Sequence, residues 1–205
     1  MRRLEIHGYA IVSGDDRIAD VSGAMPEALR NEADWAYFQT ELDRADWVAL
    51  GRKSHEATPN ARGRRRLIVS KGARRLEERY DGWWWRPQAV KFAEVVSRLL
   101  PDGGRLATPG GQGVFELFLE LGYTAFHLAR AEMATLPGGR GIFAGVERGA
   151  SADIVLRGAG LRPGVARWLD EPARVSLTVY ERGSLAPLDQ IRAHLQAERT
   201  SAEGA

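Results

Sequence analysis

Apolar and polar positions along this chain repeat with two different periods. Leu4 to Val12 is a short apolar stretch with polar interruptions, and Ser13-Gly14-Asp15-Asp16 follows as a cluster of turn formers. This predicts a first strand and then a long loop running to about Arg30. From Glu32 to Leu42 the spacing changes. Trp35, Phe38 and Leu42 fall at i, i+3 and i+7 behind Asn31, the pattern of an amphipathic helix with an N-cap. Trp47 to Leu50 is an unbroken apolar run ending at Gly51, as in a fully buried strand, and Leu67-Ile68-Val69 repeats it. Trp83-Trp84-Trp85 predicts a short strand ended by Pro87. Val90, Ala93, Val96 and Leu100 predict a helix, and Arg105 to Thr108 another strand. The spacing of Val114, Leu117, Phe118 and Leu121 predicts a helix closed by Gly122, followed by a strand over Tyr123 to Leu128. In Arg174 to Glu181 the residues Val175, Leu177 and Val179 alternate with polar neighbours, which predicts an antiparallel edge strand. Pro187 to Arg199 predicts a terminal helix.

Short strands alternating with helices at this spacing predict an α/β fold with a mostly parallel central sheet and helices on both faces. The 205 residues suit one domain, 1–182, with a C-terminal extension over 183–205. Apolar residues at 44% and charged residues at 27% are ordinary for a folded globule. Without cysteine there is no disulfide scaffold, thiolate metal site or cysteine nucleophile. His7, His55, His127 and His194 have no metal-ligand spacing, so no metal is expected. The N-terminal apolar stretch is too short for a signal core, and no window approaches the roughly 18 to 20 apolar residues of a membrane span. A cytoplasmic protein without a membrane partner is expected. A net charge of +2 implies no general attraction to nucleic acid. Within the basic run of Arg62, Arg64, Arg65, Arg66, Lys71, Arg74 and Arg75, the residues Arg62, Arg64, Arg74 and Arg75 read as a solvated loop.

Two glycine turns are the candidates for chemistry, although each also reads as a tight turn that α/β packing requires. The strand over Trp47 to Leu50 feeds Gly51-Arg52-Lys53-Ser54, where free backbone N–H groups at a helix start favour phosphate and two cations stand ready. Gly110-Gly111-Gln112-Gly113 repeats the strand-turn-helix arrangement, with no Cβ to keep a pyrophosphate from the backbone. Two such turns point to a dinucleotide. They do not fit the G-x-G-x-x-G fingerprint of the common dinucleotide fold.

Over about residues 4–182 the chain resembles the dihydrofolate reductase superfamily, and within it the reductase domain of riboflavin biosynthesis. Tyr9 to Ala19 resembles the family's opening strand and loop. Gly23-Ala24-Met25-Pro26 is similar to its mobile substrate-side loop, and Ala45 to Glu56 to its A-D-x-x-x-x-G-R-x-T-x-E segment. Leu67 to Ser70 resembles the strand at the adenosine end of the cofactor, and Ala107-Thr108-Pro109-Gly110-Gly111 the strand that ends in paired glycines. Leu136 to Phe143 and Thr178 to Glu181 resemble elements of the riboflavin-type branch.

The resemblance implies NADPH. Gly51, Arg52, Lys53 and Ser54 would hold its phosphates, Ser70 and Lys71 its 2′-phosphate end, and Gly110, Gly111, Gln112, Gly113 and Val114 its pyrophosphate, with Ala10, Ile18, Val69 and Thr108 completing the groove. It also implies hydride transfer to a pterin or pyrimidine-like heterocycle such as a riboflavin-type aminopyrimidine, dihydrofolate or dihydromethanopterin. Asp34 would be the acid, with Glu32 as the alternative, and Met25 and Phe38 would contact the substrate. A homodimer is expected from that branch. Three positions depart from the pattern. Ala129 stands where the family's supporting Thr is usual, Glu27 replaces Trp after Met-Pro, and Asp16 replaces Gly in the first turn; at a fourth, Ser54 replaces the usual Thr but keeps a hydroxyl for phosphate. These departures leave a second reading open, a non-catalytic nucleotide-binding protein of the same fold.

Overall fold

The strand β1 (Leu4–Ser13) is the axis on which the rest of the chain is laid. A computed structural model describes residues 2–183, and the call of a helix over 187–199 lies outside them. In chain order β1 is followed by β2 (Arg17–Ala19), α1 (Glu32–Asp43), β3 (Trp47–Gly51), α2 (Arg52–Ala57), β4 (Arg66–Val69), β5 (Leu76–Arg79) and β6 (Gly82–Trp85). Then come α3 (Phe92–Leu99), β7 (Gly104–Gly110), α4 (Gln112–Leu121), β8 (Ala125–Ala131), β9 (Arg140–Gly141), α5 (Ala144–Glu147) and α6 (Ala152–Gly158). Three strands close the series: β10 (Leu161–Pro163), β11 (Arg167–Asp170) and β12 (Val175–Arg182).

The main sheet runs β10-β12-β8-β1-β7-β3-β4-β6-β5, with β11 also paired to β12. From β8 to β6 every pairing is parallel. The apolar runs read from the sequence form its centre because strands covered on both faces have no polar side to show. The alternating segment near the C-terminus, β12, turns the sheet antiparallel against β8, and the short strands β10 and β11 are added outside it. At the far end Leu76–Arg79 and Gly82–Trp85 form a hairpin. Its first strand is missing from the sequence reading because Leu-Glu-Glu-Arg carries no alternation.

Three local expectations need correction. The loop before α1 holds a short strand, β2, paired with β9. The helix expected from Val90 begins at Phe92, with Lys91 as N-cap, and it buries Val95 with Phe92, Val96 and Leu99 half-buried, while Ala93 is exposed. The strand expected from Tyr123 begins at Ala125. Tyr123 is fully buried ahead of it, with its hydroxyl 3.1 Å from Thr108 Oγ1. The aromatic triplet splits as strand alternation and edge position require: Trp84 and Trp85 are buried and Trp83 is half-buried.

Close packing around β1 depends on one missing side chain. A Cβ on Gly8 would stand 2.2 Å from the ring of Phe126, which is itself fully buried and packed edge-on to Phe115 and Tyr123.

Candidate functional site

Both glycine turns leave the same edge of the sheet. β3 and β7 are parallel neighbours with Leu50 opposite Gly110, so their C-terminal ends stand side by side. Gly51 caps α2 and Gly111 caps α4, and neither helix start receives a side-chain cap. Gly110 (φ 134°) and Gly111 (φ 86°) occupy backbone conformations that side chains disfavour. A Cβ on Gly111 would lie 3.8 Å from Ser54 Oγ, so the two turns face one another across a small gap, and Gly113 opens onto free space. β4 ends with Val69 opposite Gly51, which brings Ser70 and Lys71 to the same edge as Arg52. Arg52, Lys53 and Lys71 are exposed there, with Arg52 paired to Glu56 at 2.9 Å. The Ser70 hydroxyl accepts the Gly72 N–H at 3.1 Å.

The remaining residues named for the groove sit behind that edge. Val114 packs over Gly51, Thr108 is fully buried, and Gln112 donates to the Gly141 carbonyl at 3.1 Å and to Glu147 at 2.9 Å.

A cavity of about 540 Å³ opens between this edge and α1. That volume lies in the ordinary range for a small-molecule site. Ser54, Pro109 and Gly111 form one part of its wall, and Ala10, Ile18, Met25, Asp34 and Phe38 another. The phosphate-type turns and the acid therefore share one chamber. Ala129 also lines it, so the site where the family's Thr is usual does face the cavity.

Asp34 sits in the first turn of α1. Its backbone N–H donates to Asn31 Oδ1 at 3.0 Å, and its carboxyl has no hydrogen-bond partner among the described residues. Burial alone pushes that carboxyl up to about 6. Glu32 is exposed and does not line the cavity. The apolar stripe of α1 has a different role from the one its spacing predicts. Only Leu42 of the three is buried. Trp35, largely exposed, and Phe38 lie with centroids 5.6 Å apart and planes tilted by 43°, and both line the cavity.

Part of the basic run belongs here too. Arg62 and Arg64 line the cavity rim and pair with Asp43 at the end of α1, and Arg64 Nη2 also reaches Gln39 Oε1 at 2.8 Å. Arg66 is buried and donates to the Thr58 carbonyl at 2.9 Å. Arg74 and Arg75 are solvated as expected, whereas Arg64, expected to be solvated as well, is half-buried by its contacts with Asp43 and Gln39.

The sequence reading missed a polar chain that begins in the cavity wall, where Tyr9, Tyr37 and His127 line it. Tyr37 Oη lies 2.6 Å from His127 Nδ1, and His127 Nε2 lies 3.2 Å from His7 Nδ1. His7 Nε2 is 3.6 Å from the Glu5 carboxylate, which Arg105 holds at 3.3 Å. Tyr9 stacks on His127 at 4.5 Å and donates to Glu41. The spacing of His7 and Tyr9 on one strand signals a shared face. Their approach to His127 depends on the pairing of β1 with β8, which no local pattern reveals.

Among the described residues no group of three or more metal-type ligands converges, and no helix is long and apolar enough to cross a membrane. The first-turn departure is also resolved: Asp16 takes φ 63°, the left-handed conformation that Gly would supply.

No protein-family profile matches the chain, and no curated protein matches it in sequence. Solved structures do match its shape. A diaminohydroxyphosphoribosylaminopyrimidine deaminase/5-amino-6-(5-phosphoribosylamino)uracil reductase from Thermotoga maritima aligns over 88% of this chain at 14% identity, TM-score 0.61. The present chain spans 57% of the length of that bifunctional protein. A protein assigned to riboflavin biosynthesis in Shewanella sp. PV-4 aligns over 87% of this chain and 99% of its own, at 16% identity and TM-score 0.59. Dihydrofolate reductase from Enterococcus faecalis, complexed with NADP(H) and RAB-propyl, aligns over 88% and 97%, at 10% identity and TM-score 0.60. The chain thus has an α/β fold built around a mostly parallel sheet with its site at the strand ends. That fold is the dihydrofolate reductase-like one, shared with the riboflavin-type reductase domain.

Proposed function

We propose that this protein is an NADPH-dependent reductase that delivers a hydride to a pterin or pyrimidine-like heterocycle, with Asp34 supplying the proton. The observation that carries the reading is the position of Asp34. It is an unpaired acid, raised toward neutrality by burial, in the same cavity as Ser54 and Gly111 of the two glycine turns. Fold likeness alone would not assign a reaction.

The residues present fit a dinucleotide. Two uncapped helix starts face each other over glycines whose missing Cβ atoms leave the backbone open, and Arg52, Lys53, Ser70 and Lys71 gather at the same edge. Charge-assisted donors of this kind select a 2′-phosphate over a plain ribose. The nicotinamide, when bound, supplies the hydride. The protein's own part is orientation, exclusion of water and proton supply. Phe38 and Trp35 offer apolar ring faces against which a planar ring can rest, and Met25 lines the chamber with them. Asp34, whose protonated form persists up to about 6, can give its proton to a ring nitrogen as that nitrogen gains charge.

The test is thermal stability with NADPH, with NADH and with neither, at matched concentration, followed by NADPH oxidation with a panel of pterins and aminopyrimidines. A ligand that binds only the native state must raise its stability. The expected result is an NADPH-selective shift and turnover with at least one heterocycle. No shift with either nucleotide would overturn the reading. A homodimer, implied only by the resemblance to the riboflavin-type branch, is to be checked by sedimentation.

A further inference from the structure

We infer that the buried chain Tyr37–His127–His7–Glu5 fixes the polarity of the cavity wall: the Tyr37 hydroxyl is committed as a donor to His127, presents only a lone pair to the ligand, and selects a heterocycle with an amino or N–H donor at that edge. The inference rests on the cavity being the substrate site.

The argument starts at the outer end. Glu5 is part-exposed and held by Arg105, so it stands as a carboxylate 3.6 Å from His7 Nε2. An imidazole beside an anion places its N–H toward it, because the bare lone pair would repel it. His7 then carries its one proton on Nε2, leaving Nδ1 as acceptor. His127 Nε2, 3.2 Å away, must donate to it, so His127 Nδ1 is bare and must accept from Tyr37 Oη at 2.6 Å.

This holds only while both rings are neutral. Burial and then Arg105 push His7 down to about 4, outweighing Glu5 and Glu41, which favour the charged form. Burial, then His7, Arg105 and Arg167, push His127 down to about 3. Burial, with Glu41 nearby, keeps Tyr37 protonated, raising it to about 12 against the opposing pull of Arg167 and Arg44.

Two neighbours enter the balance. Tyr9 lies 3.4 Å from His7 Nδ1, but its hydroxyl is given to Glu41 Oε2 at 3.3 Å. It could favour the opposite tautomer only by accepting a His7 Nδ1 proton, which would bare Nε2 against Glu5. Arg167 lies over the Tyr37 ring, 5.3 Å from its centroid, and a guanidinium can only donate. It therefore cannot take the Tyr37 proton in place of His127. A hydroxyl oxygen has two lone pairs, so one remains for a ligand.

The test has two arms. In histidine-¹⁵N-labelled protein, two-bond proton–nitrogen spectra read each ring's tautomer without ligand or turnover. The expected result is His127 and His7 both protonated on Nε2; a proton on His127 Nδ1 overturns the inference. The second arm measures binding of 2,4-diaminopyrimidine, which offers donors, against 2,4-dimethoxypyrimidine, which offers none. Tyr37→Phe should lower diaminopyrimidine affinity about 3- to 10-fold, the size of one neutral hydrogen bond, and leave the dimethoxy compound within about twofold. Glu5→Gln, remote from the cavity, should weaken the discrimination and mix the tautomers, because an amide presents either a donor or an acceptor. Equal losses for both probes, or no diaminopyrimidine binding, would overturn it. Absence of NADPH oxidation with the expected tautomers would instead count against the reductase reading alone.

Discussion

Asn31 holds the helix turn that carries Asp34. Its Oδ1 accepts the Asp34 backbone N–H at 3.0 Å, while its Nδ2 donates to Asp170 Oδ2 at 2.8 Å. One side chain thus caps α1 and ties it to the far end of β11, and the carboxyl of Asp34 is left free to face the cavity. Asn31→Ala should cost about 1 to 2 kcal/mol of stability, the usual value of a lost N-cap. Asn31→Asp should cap equally well but bring two carboxylates together, so that its loss appears above the pH at which both ionise. Urea denaturation of the two variants at pH 4 and pH 8 separates these outcomes.

Asp34→Asn should abolish most turnover, by about 10²- to 10⁴-fold, while leaving NADPH affinity unchanged. The wild-type rate of a proton donor should fall as pH rises through about 6, the value to which burial raises this carboxyl, and the variant should lose that limb. The stability sign is opposite to that of a paired carboxylate. The native state binds the Asp34 proton more tightly than the unfolded chain does. Its contribution is therefore full below the unfolded value of 3.8 and is lost as pH rises through about 6. A difference of this size is worth at most about 3 kcal/mol. Asp34→Asn should accordingly be more stable than the parent at pH 8 and lose that advantage by pH 4.

The sheet's centre was legible because fully buried strands have a short, continuous apolar signature, and Trp47 to Leu50 shows it cleanly. The turns at Gly51 and Gly110 were legible for a separate reason, since glycine ahead of a helix start has few other uses. Their meeting was not, because it depends on the order in which β3 and β7 pair. Periodicity could identify α1 but could not tell a stripe that faces core from one that faces a cavity: Phe38 reads as a substrate contact only through the family resemblance, and Trp35 reads as packing. His127 and His7 are 120 residues apart in sequence and carried no local signal at all.

Gly8→Ala and Gly111→Ala should fail differently. At Gly8 the added methyl would meet the Phe126 ring in a part of the core where Phe115 and Tyr123 leave it nowhere to go. Overpacking there should cost about 1 to 3 kcal/mol or more. At Gly111 the space is ordinary and the obstacle is φ 86°, a backbone cost of about 1 to 2 kcal/mol, together with a methyl placed toward Ser54 on the cavity floor. Gly111→Ala should therefore lose NADPH affinity out of proportion to stability, and Gly8→Ala should lose stability first. Thermal melts with and without NADPH read both quantities.

Asp16 gives the sharpest contrast between a backbone argument and a side-chain one. Its φ of 63° favours glycine, so relief of strain alone would make Asp16→Gly stabilising by about 1 kcal/mol. Its side chain argues the other way. Oδ1 lies 2.6 Å from Arg130 Nη2, Oδ2 accepts the Ala152 N–H at 3.0 Å, and the residue is only 6% exposed. Those contacts join the first turn to β8 and to the start of α6. Removing one partner of a buried ion pair costs about 3 to 5 kcal/mol, and here it also strips a backbone N–H of its acceptor. The side-chain term is larger, so Asp16→Gly should destabilise by about 2 to 4 kcal/mol. Asp16→Asn, which keeps the Ala152 bond and tolerates the same backbone, should lose less. A glycine variant as stable as the parent would mean that Arg130 finds its counter-charge elsewhere, with Asp15 the nearest carboxylate in the chain.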